Sequence, residues 1–362
     1  MEWARGQSAD GLDGHVVAES KWNGVLVVIS PEHPFESSAS RVRAYQLARQ
    51  IEGVIPTRVL PVKGDETNFT QVHWQLVVNT LKLFTIARRH HGRLVLIVQR
   101  GVGLNARVIL LLAWRYISGK RMIFDFDDAI FIQMPWSTRT MCRHADAVTT
   151  SNEYLADYAR GYNRIVHVLP NAIDLSLYQR RTVPRETNPV IGWIGTKTNL
   201  DYLSIIEEPL RLLKDRRDFT FRVVTDPAAK SMVPLTRTLP IDFRPWTYPD
   251  FVSNLSTFDI GVCPLPEDKW TKGKSGYKVL EYMALEIPTV ASNVGGMSAI
   301  IENEVDGYLA SSTDDWFKRL QQLLDSPSLR RELGKAGKKK VVNRYSPQVV
   351  IPRWLEVLGS IT

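Results

Sequence analysis

The stretch TKGKSGYKVLEYMALEIPTVASNVGG, at residues 271–296, decides the fold of this chain. Its GKSG segment predicts a glycine-containing loop that carries Lys274. Four apolar residues then recur at helical spacing: Tyr277, Leu280, Met283 and Ala284. Residues 287–291 are apolar and predict a buried strand, and residues 294–296 predict a tight turn after it. The stretch is therefore a loop, a helix and a strand, which is the repeating unit of α/β proteins.

The start of this predicted helix could hold a phosphate group. A loop that opens a helix offers unpaired backbone N–H groups and the positive end of the helix dipole. Lys274 and Lys278 would add positive charge there, and Glu281 could accept hydrogen bonds from two neighbouring hydroxyls, as on a ribose. Loops of this kind are also common connections whose lysines are only solvated. The residues alone leave both interpretations open.

The composition is that of a globular protein with more than one core. The chain has 362 residues, which suggests two domains, and 44% of them are hydrophobic and 23% charged. Cys142 and Cys263 lie far apart beside apolar segments, which favours buried, reduced thiols in a cytoplasmic protein. The seven histidines form no metal-ligand motif, so we expect no metal site.

The chain is basic, with a net charge of +8 and an isoelectric point of about 9.4. Such a charge suits a nucleic acid, an anionic membrane surface or an anionic substrate. No zinc-finger spacing, aromatic RNA-binding motif or basic zipper is present, so we expect no nucleic acid partner. Residues 1–14 lack the apolar core of a signal peptide, and the longest apolar run, residues 108–114, is too short to span a bilayer. We expect a cytoplasmic protein. The sequence leaves open whether it also makes a peripheral contact with the inner face of an anionic membrane.

Apolar runs that predict strands alternate with helical patterns in both halves of the chain. The runs lie at residues 25–30, 54–62, 94–99, 122–126, 147–151 and 165–169, and then at 190–194, 219–224, 258–263 and 287–291. Ser40 is the predicted N-cap of the first helix, and Thr198 or Asn199 that of a helix at 200–214. Such alternation predicts an α/β fold with two Rossmann-like domains built on parallel sheets.

Changes in polarity along the chain place the predicted domain boundaries. The predicted units are a flexible tail at 1–23, an N-terminal domain at 24–180, a linker at 181–189, a C-terminal domain at 190–345 and a last helix at 346–362.

Charged residues lie where ligands bind in such folds, at the carboxyl ends of strands. Asp127 and Asp128 directly follow the predicted strand at 122–126. They are candidates for the site, although an Asp after a strand is about as often a turn cap. Arg41 and Arg43 lie in the first turn of a predicted helix, where cations are electrostatically disfavoured. One of them could therefore face an anion, and two solvated arginines are an equal alternative.

The segment KVLEYMALEIPTVASNVGG, at residues 278–296, resembles the donor-binding segment of the retaining glycosyltransferases of family 4. The resemblance extends to residues 300–309, to PNAID at residues 170–174 and to ADAVTTS at residues 145–151. It implies the GT-B fold, in which two Rossmann-like domains face a cleft and a last helix packs back on the N-terminal domain.

The resemblance also implies an activity. It implies a metal-independent, hexosyltransferase-type enzyme that moves a sugar from a nucleotide-diphosphate sugar to an acceptor hydroxyl with retention of configuration. The acceptor would be a saccharide or a lipid-linked molecule, in polysaccharide or glycoconjugate synthesis. The nucleotide sugar is a co-substrate, and no other cofactor is implied.

The resemblance and the charges of the residues together give the candidate site. The catalytic residues would be Lys274, Asp127 and Lys278. The donor-binding residues would be Gly195, Thr196, Lys197, Ser275, Gly276, Tyr277 and Glu281. The acceptor-side residues would be Ser38, Arg41, Arg43 and Asp128, and no residue is assigned to a metal.

Three positions depart from the family. Asp127 stands where the family often has a histidine. The loop at residues 195–198 lacks the family's arginine, for which Lys197 could substitute. Gly273 replaces the first of two glutamates eight positions apart, of which Glu281 is the second. The departures keep two alternatives open: a GT-B-fold sugar-nucleotide epimerase, and a non-catalytic nucleotide-sugar-binding protein with a degraded donor site.

Overall fold

Two six-stranded parallel sheets organise the protein. A computed structural model describes residues 24–30, 38–61, 69–89, 92–100, 105–179, 186–237, 239–248 and 250–361. The predicted tail at 1–23 and residues 181–185 of the predicted linker lie outside these ranges. The predicted α/β fold with two Rossmann-like halves is confirmed, because each sheet is parallel throughout and alternates with helices.

The first sheet is built from six strands: β1 (Gly24–Ser30), β2 (Thr57–Pro61), β3 (Arg93–Gln99), β4 (Arg121–Phe126), β5 (Ala147–Thr150) and β6 (Val166–Val168). Their order in the sheet is β2-β1-β3-β4-β5-β6. The helices of this half are α1 (Ser38–Ser40), α2 (Leu47–Glu52), α3 (Phe69–Arg89), α4 (Asn105–Ser118), α5 (Pro135–His144) and α6 (Glu153–Arg160). A π-helical segment, Arg41–Gln46, joins α1 to α2 without a break.

The second sheet repeats this arrangement with β7 (Val190–Ile194), β8 (Thr220–Thr225), β9 (Ile241–Pro245), β10 (Ile260–Cys263), β11 (Thr289–Ser292) and β12 (Tyr308–Ala310). Their order is β12-β11-β10-β7-β8-β9. The helices are α7 (Glu207–Lys214), α8 (Phe251–Leu255), α9 (Tyr277–Ala284), α10 (Gly296–Ile300), α11 (Thr313–Asp325), α12 (Pro327–Arg344) and α13 (Pro347–Ser360). Short 3-10 helices cover Lys197–Ile206, Pro227–Met232, Pro234–Arg237 and Thr271–Gly273.

Helices cover both faces of the first sheet, which is why its central strands are apolar on both sides. One face packs against α3, α4, α5 and α6 through buried side chains that include Leu83, Val108, Met141 and Leu155. The other face packs against α2 and α13 through Leu47, Ile51, Trp354 and Leu358. Helix α13, which follows the second sheet in the chain, therefore packs on the first sheet.

Two predicted helix starts are wrong. Ser40 has helical backbone angles (φ −60°, ψ −45°) and makes no capping hydrogen bond, because the helix already begins at Ser38 and Ser40 is buried in it. The helix predicted at 200–214 is a 3-10 helix from Lys197 that becomes α7 only at Glu207, and its N-cap is Thr196 rather than Thr198 or Asn199. Pro209 explains the late start, since proline has no N–H and fits only the first turn of an α-helix.

The loop before α9 in the second half touches the first half directly. Asn152 caps α6 by accepting from the Leu155 N–H, and its amide nitrogen lies 3.2 Å from the carbonyl oxygen of Lys274. A Cβ at Gly273 would lie 2.7 Å from the Ala129 nitrogen, closer than real Cβ atoms come. The two backbones therefore approach to a distance that only glycine allows.

A buried ion pair connects these elements. Arg43, in the π-helical segment, makes a two-pronged contact with Asp125 at 2.8 and 2.5 Å, and both residues are nearly inaccessible to water. The guanidinium also donates to the carbonyl oxygen of Leu169 and to the side chain of Asn171, both at 2.9 Å. Asn171 in turn donates to the Ser275 hydroxyl at 3.1 Å, so a polar chain runs from β4 to the loop before α9.

Replacing Arg43 by methionine should destabilise the protein strongly. Among the described residues, the variant leaves the buried Asp125 carboxylate with the Thr149 hydroxyl as its one partner, at 2.6 Å. Removing one partner of a buried ion pair costs about 3–5 kcal/mol of unfolding free energy. Denaturant unfolding followed by tryptophan fluorescence measures this loss.

The matched control is Arg160→Met, which removes an arginine from the exposed pairs with Glu153 and Asp157. Its unfolding midpoint should stay close to that of the unchanged protein. Equal effects of the two substitutions would contradict a special role for the buried pair.

Candidate functional site

The loop before α9 is shaped by two glycines. Gly276 precedes the helix with a left-handed backbone (φ +73°), and a Cβ there would lie 2.5 Å from the Ile300 side chain. Gly296 donates its N–H to the carbonyl oxygen of Lys274 at 3.0 Å, and a Cβ on it would meet that same oxygen at 2.5 Å. In the first turn of α9 the Val279 N–H bonds to the carbonyl oxygen of Gly276 at 2.9 Å. The N–H groups before it, at Tyr277 and Lys278, are those that a helix start generally offers to a ligand. The predicted helix and its preceding loop are thus confirmed as structure.

Lys274 lies at the interface of the two halves. Its ammonium is 3.3 Å from Asp128 of the first half and 5.0 Å from the centre of the Trp270 ring. Burial, helped by the Arg100 guanidinium, lowers the pKa of Lys274 to about 8. An anion that enters the site would stabilise the charged form of Lys274, because a second negative charge offsets the cost of burying the ammonium group.

Lys278 lies one turn later and faces another part of the site. Its ammonium is 4.3 Å from the centre of the Trp193 ring, and a Cβ at Gly195 would lie 3.0 Å from the same nitrogen. Burial also lowers the pKa of Lys278. The predicted donor loop, Gly195 to Lys197, therefore lies against the start of α9, with Thr196 and Lys197 exposed at the end of β7.

Glu281 is buried below the start of α9, with 7% of its surface exposed. The Tyr178 hydroxyl donates to its carboxylate at 2.7 Å and lies 3.3 Å from the Tyr277 hydroxyl. Burial raises the pKa of Glu281, against the hydrogen bond from Tyr178 and the charges of Arg41 and Lys278, which lower it. A carboxylate in this position has one oxygen committed to Tyr178.

One arginine forms ion pairs with both aspartates that follow β4. Arg100, at the end of β3, forms ion pairs with Asp128 and, at 3.6 Å, with Asp127. Its backbone is left-handed (φ +54°), an uncommon conformation for arginine that turns the chain at the end of β3. Asp127 is buried, and its Oδ1 accepts no hydrogen bond within the described residues. An unsatisfied buried carboxylate oxygen is suited to accept from a hydroxyl that enters the site.

The predicted acceptor-side residues separate into three groups. The Arg43 guanidinium donates to Asp125, Leu169 and Asn171, so these hydrogen bonds are internal to the protein. Arg41 crosses to the second half, where its guanidinium lies 5.2 Å from the centre of the Trp246 ring. Ser38 begins α1, and its side chain lies outside the described residues.

Sequence reasoning did not assign roles to several side chains that shape this region. They are Arg100, Asn152, Asn171, Tyr178, Trp193, Trp246 and Trp270. Arg100 and Asn152 directly follow predicted strands, and this position at a strand end could have marked them as candidate site residues. The three tryptophans carried no signal, because only the folded chain puts each of them beside a cation.

A cavity of about 580 Å³ borders the same loop. Its walls include Lys272, Ser275, Gly296, Asn152 and Arg344, but not Lys274, Lys278 or Glu281. Among the described residues, no three His, Cys, Asp or Glu side chains group as metal ligands.

Comparison with known proteins links the second half to a group of enzymes. The family model described as "Glycosyl transferases group 1" matches residues 188–326. The capsular polysaccharide biosynthesis glycosyltransferase CapM of Staphylococcus aureus is 32% identical over 75 residues, 20% of this chain and 19% of that protein. The human alpha-1,3/1,6-mannosyltransferase ALG2 is 31% identical over 74 residues, 20% of this chain and 18% of that protein. The chain therefore spans about a fifth of the length of these relatives.

Solved structures match nearly the whole chain. A sucrose-phosphate synthase from Thermosynechococcus elongatus superposes with a TM-score of 0.73 at 13% identity, covering 93% of this chain and 99% of that one. A glycosyltransferase from Rickettsia africae gives 0.71 at 13% identity, covering 93% and 98%. Anabaena HepE in complex with UDP and glucose gives 0.71 at 12% identity, covering 92% and 99%. These likenesses establish the GT-B fold, as the resemblance implied.

The charges around Lys274 predict how its pKa responds to substitution. We expect titration of the Lys274 side chain by ¹³C NMR, with the signal assigned from a Lys274→Arg variant, to give a midpoint near pH 8. Arg100→Gln should raise this pKa because it removes a repelling charge. Asp127→Asn should lower it because it removes an attracting one. A midpoint above pH 10 in the unchanged protein would show that Lys274 is not held in this environment.

Proposed function

We propose that this protein is a glycosyltransferase of the family 4 type. It transfers a hexosyl group from a nucleotide-diphosphate sugar to an acceptor hydroxyl, with retention of configuration and without a metal. Support comes from the GT-B fold, from the match of residues 188–326 to group 1 glycosyl transferases, and from the chemistry of the loop before α9. The second half would hold the donor, and the first half the acceptor.

One observation carries the proposal. Lys278, in the first turn of α9, lies beside Gly195 at the end of β7, and Lys274, in the loop before α9, lies against Asp128 just after β4. Among the described residues, Lys274 forms its ion pair with Asp128 of the first half, and Lys278 lies over the Trp193 ring with Glu281 as a nearby attracting charge. A diphosphate at the helix start would receive backbone N–H groups and both ammonium groups.

The transfer step needs a group that stabilises the departing diphosphate. Negative charge on that leaving group rises as the bond to the sugar stretches, so cations already in place bind the transition state more strongly than the ground state. Lys274 and Lys278 are placed for this role. The departing phosphate oxygen can then take the proton of the acceptor hydroxyl on the same face of the sugar, which retains the configuration. The Oδ1 of Asp127 lies 3.6 Å from the Arg100 Nε but accepts no hydrogen bond among the described residues, so it could orient a sugar hydroxyl.

The missing glutamate at Gly273 has a structural explanation that bears on the proposal. The backbone of Ala129 occupies the space that a side chain at position 273 would need. Lys274, the next residue, reaches the same interface with the opposite charge. We therefore propose that Lys274 replaces the glutamate at this edge of the site rather than that the site is degraded.

The acceptor and the location of the protein are also proposals. The names of the relatives concern capsular polysaccharide, poly(ribitol phosphate) and mannosyl transfer, which favours a saccharide or lipid-linked acceptor in polysaccharide or glycoconjugate synthesis. Both cysteines are free and buried, which suits a cytoplasmic protein. The aspartates after β4 are engaged by Arg100, which favours catalysis without a divalent metal.

A non-catalytic nucleotide-sugar-binding protein is the second candidate, because Tyr178 and the low exposure of Glu281 restrict the predicted ribose site. A thermal-shift screen with nucleotide diphosphates and their sugars identifies the donor. Product formation from that donor and a panel of acceptors, with EDTA and with magnesium, then separates the two candidates. Transfer in EDTA supports the proposal, and binding of the donor without transfer to any acceptor favours the second candidate.

Lys274→Ala should lower the turnover rate roughly a hundredfold, which is the scale of losing one preorganised stabiliser of a developing charge. The affinity for the nucleotide sugar should change much less, because the charge on the diphosphate grows only during the reaction. Lys274→Arg should retain part of the rate, since it keeps the charge but not the geometry. Steady-state kinetics with the identified donor measures these effects.

Lys272→Ala is the matched control for this prediction. Lys272 lies in the same loop but is half exposed and pairs with Glu267 at 3.1 Å. Its loss should leave turnover nearly unchanged. A normal rate for Lys274→Ala, or an equal loss for Lys272→Ala, would remove the leaving-group role from Lys274.

Glu281→Ala should weaken nucleotide binding by about 1.5–3 kcal/mol, typical of a lost hydrogen bond to a charged group. Tyr178→Phe is the informative comparison, because it frees the carboxylate oxygen that Tyr178 occupies. If Glu281 holds the ribose, Tyr178→Phe should bind nucleotide at least as well as the unchanged protein. Calorimetry on both folded variants measures this, and unchanged affinity in Glu281→Ala would show that Glu281 serves only the fold.

A further inference from the structure

Three neighbouring helices of the first half contain no acidic residue. Helices α3, α4 and α5 hold seven lysines and arginines and neither aspartate nor glutamate. The cations are Lys82, Arg88, Arg89, Arg107, Arg115, Arg139 and Arg143. Five of them, all except Arg107 and Arg115, are exposed to solvent. Ordinary solvated helices mix both signs of charge, so this surface is selectively basic.

The same helices expose large apolar side chains. Six of the ten large apolar residues that are exposed in the described part of the chain lie between residues 81 and 136. They are Leu81 on α3, Ile109, Tyr116 and Ile117 on α4, and Ile132 and Trp136 at the start of α5. Ile117 is 74% exposed. The outward stripe of α4, spaced at residues 109, 113, 116 and 117, carries no charged residue.

The three helices form one continuous layer. All of them pack on the same face of the first sheet through a shared core. Helices α4 and α5 run side by side, since Ser137 donates to Asn105 at 3.2 Å near their starts and Tyr116 lies 2.8 Å from His144 near their ends. We call the outer face of α3, α4 and α5, together with Ile132, the basic apolar face.

The next helix in the same layer differs in charge. Helix α6 carries Glu153 and Asp157, which pair with Arg160 on its surface. Asp146, which follows α5, is mostly buried and bonded to Arg115 and Arg121. The basic apolar face therefore ends at α6, and its charge is a property of three helices rather than of the whole layer.

We propose that the basic apolar face binds the surface of an anionic lipid bilayer. Exposed cations are attracted to anionic headgroups, and apolar side chains at the same level enter the boundary with the acyl chains. Trp136 suits this boundary, where indole rings concentrate. No described helix is both long and apolar enough to cross a membrane, so the contact is peripheral.

The chemistry of the face favours a bilayer over a folded protein partner. The apolar stripe of α4 is only one helix wide and lies between α3 and α5, which carry the five exposed cations and no acid. The centre of a stable protein interface is instead contiguous, apolar and depleted of charged residues. A bilayer needs no matching shape and rewards both charge and scattered apolar side chains. Helix α12 is also basic, but it differs from the basic apolar face because Val342 is its one large exposed apolar side chain.

The basic apolar face adjoins the candidate site. The turn that carries Ile132 follows Asp127 and Asp128 directly and leads into α5 at Trp136. Binding a bilayer through this face would therefore place the edge of the first half, where we propose that the acceptor enters, next to the headgroups. The surface itself is inferred from helix composition and exposure and does not require the chain to be an enzyme.

The test uses the full chain without any nucleotide sugar, so its outcome is independent of the proposed activity. Ile117→Cys is labelled with an environment-sensitive dye, and Met232→Cys, which replaces an exposed apolar residue of the second half, is the matched control. Both natural cysteines are buried and should remain unlabelled. The dye at position 117 should shift to the blue with vesicles of phosphatidylcholine and phosphatidylglycerol, but not with phosphatidylcholine alone, and the dye at position 232 should not respond.

Vesicle sedimentation then separates the contributions of charge and apolar surface. Arg88→Gln with Arg89→Gln should weaken binding to the mixed vesicles by about tenfold or more. Ile109→Ser with Ile117→Ser should also weaken it by about tenfold. Lys335→Gln with Lys339→Gln removes the same charge from exposed positions on α12 and should have a much smaller effect.

Three outcomes would overturn the proposal. Equal losses for the α3 and α12 charge variants would show a general attraction of a basic protein to vesicles. Equal dye responses at positions 117 and 232, or none at either, would exclude this face. A blue shift at position 117 without vesicles that grows with protein concentration, together with dimers in analytical ultracentrifugation, would assign the face to a second copy of the chain.

Discussion

The ion pair between Arg43 and Asp125 begins a chain of hydrogen bonds that reaches from the first half to the second. Asp125 is the last polar residue of a central strand, and its charge is fully buried. A buried carboxylate requires a matched cation and further hydrogen bonds, which Arg43 and Thr149 supply. Arg43 satisfies its remaining N–H groups with Leu169 and Asn171 beyond β6, and Asn171 reaches Ser275. One charge in the first sheet thereby fixes the place of the loop that opens α9.

The same closeness of the two halves sets the electrostatics of the candidate site. Because Gly273 allows the backbone of its loop to touch Ala129, Lys274 is brought to Asp128 and Arg100. Its ammonium is then partly desolvated, which lowers its pKa and increases its attraction for an anion. A glutamate at position 273 would need the halves to separate and would reverse the charge at their contact. The glycine at position 273 and the position of Lys274 at the interface are therefore one structural feature.

The positive charges of the molecule lie in two different surroundings. Inside the cleft, the carboxylate of Asp128 balances two cations, Arg100 of its own half and Lys274 of the second half. On the outer face of α3 to α5, cations have no acidic neighbours on their own helices. A net charge of +8 alone could not separate these two surroundings, since cations in either would raise the isoelectric point. The distribution over helices and strand ends separates the cations of the cleft, which we propose bind a substrate anion, from those of the basic apolar face, which we propose bind an anionic surface.

The sequence by itself determined the two parallel sheets and the loop and helix at residues 271–284. Alternating apolar runs and helical spacing are local properties, and they specify strands and helices wherever a sheet is covered on both faces. Local spacing did not specify the helix starts near Ser40 and Thr198, since burial of Ser40 and the position of Pro209 decided them. Only the tertiary structure decided which charges meet: Arg43 with Asp125, Arg100 with Asp127 and Asp128, and Lys274 with Asp128. These partners lie far apart along the chain, so their pairing depends on how the sheets and their loops are brought together, which no local pattern records.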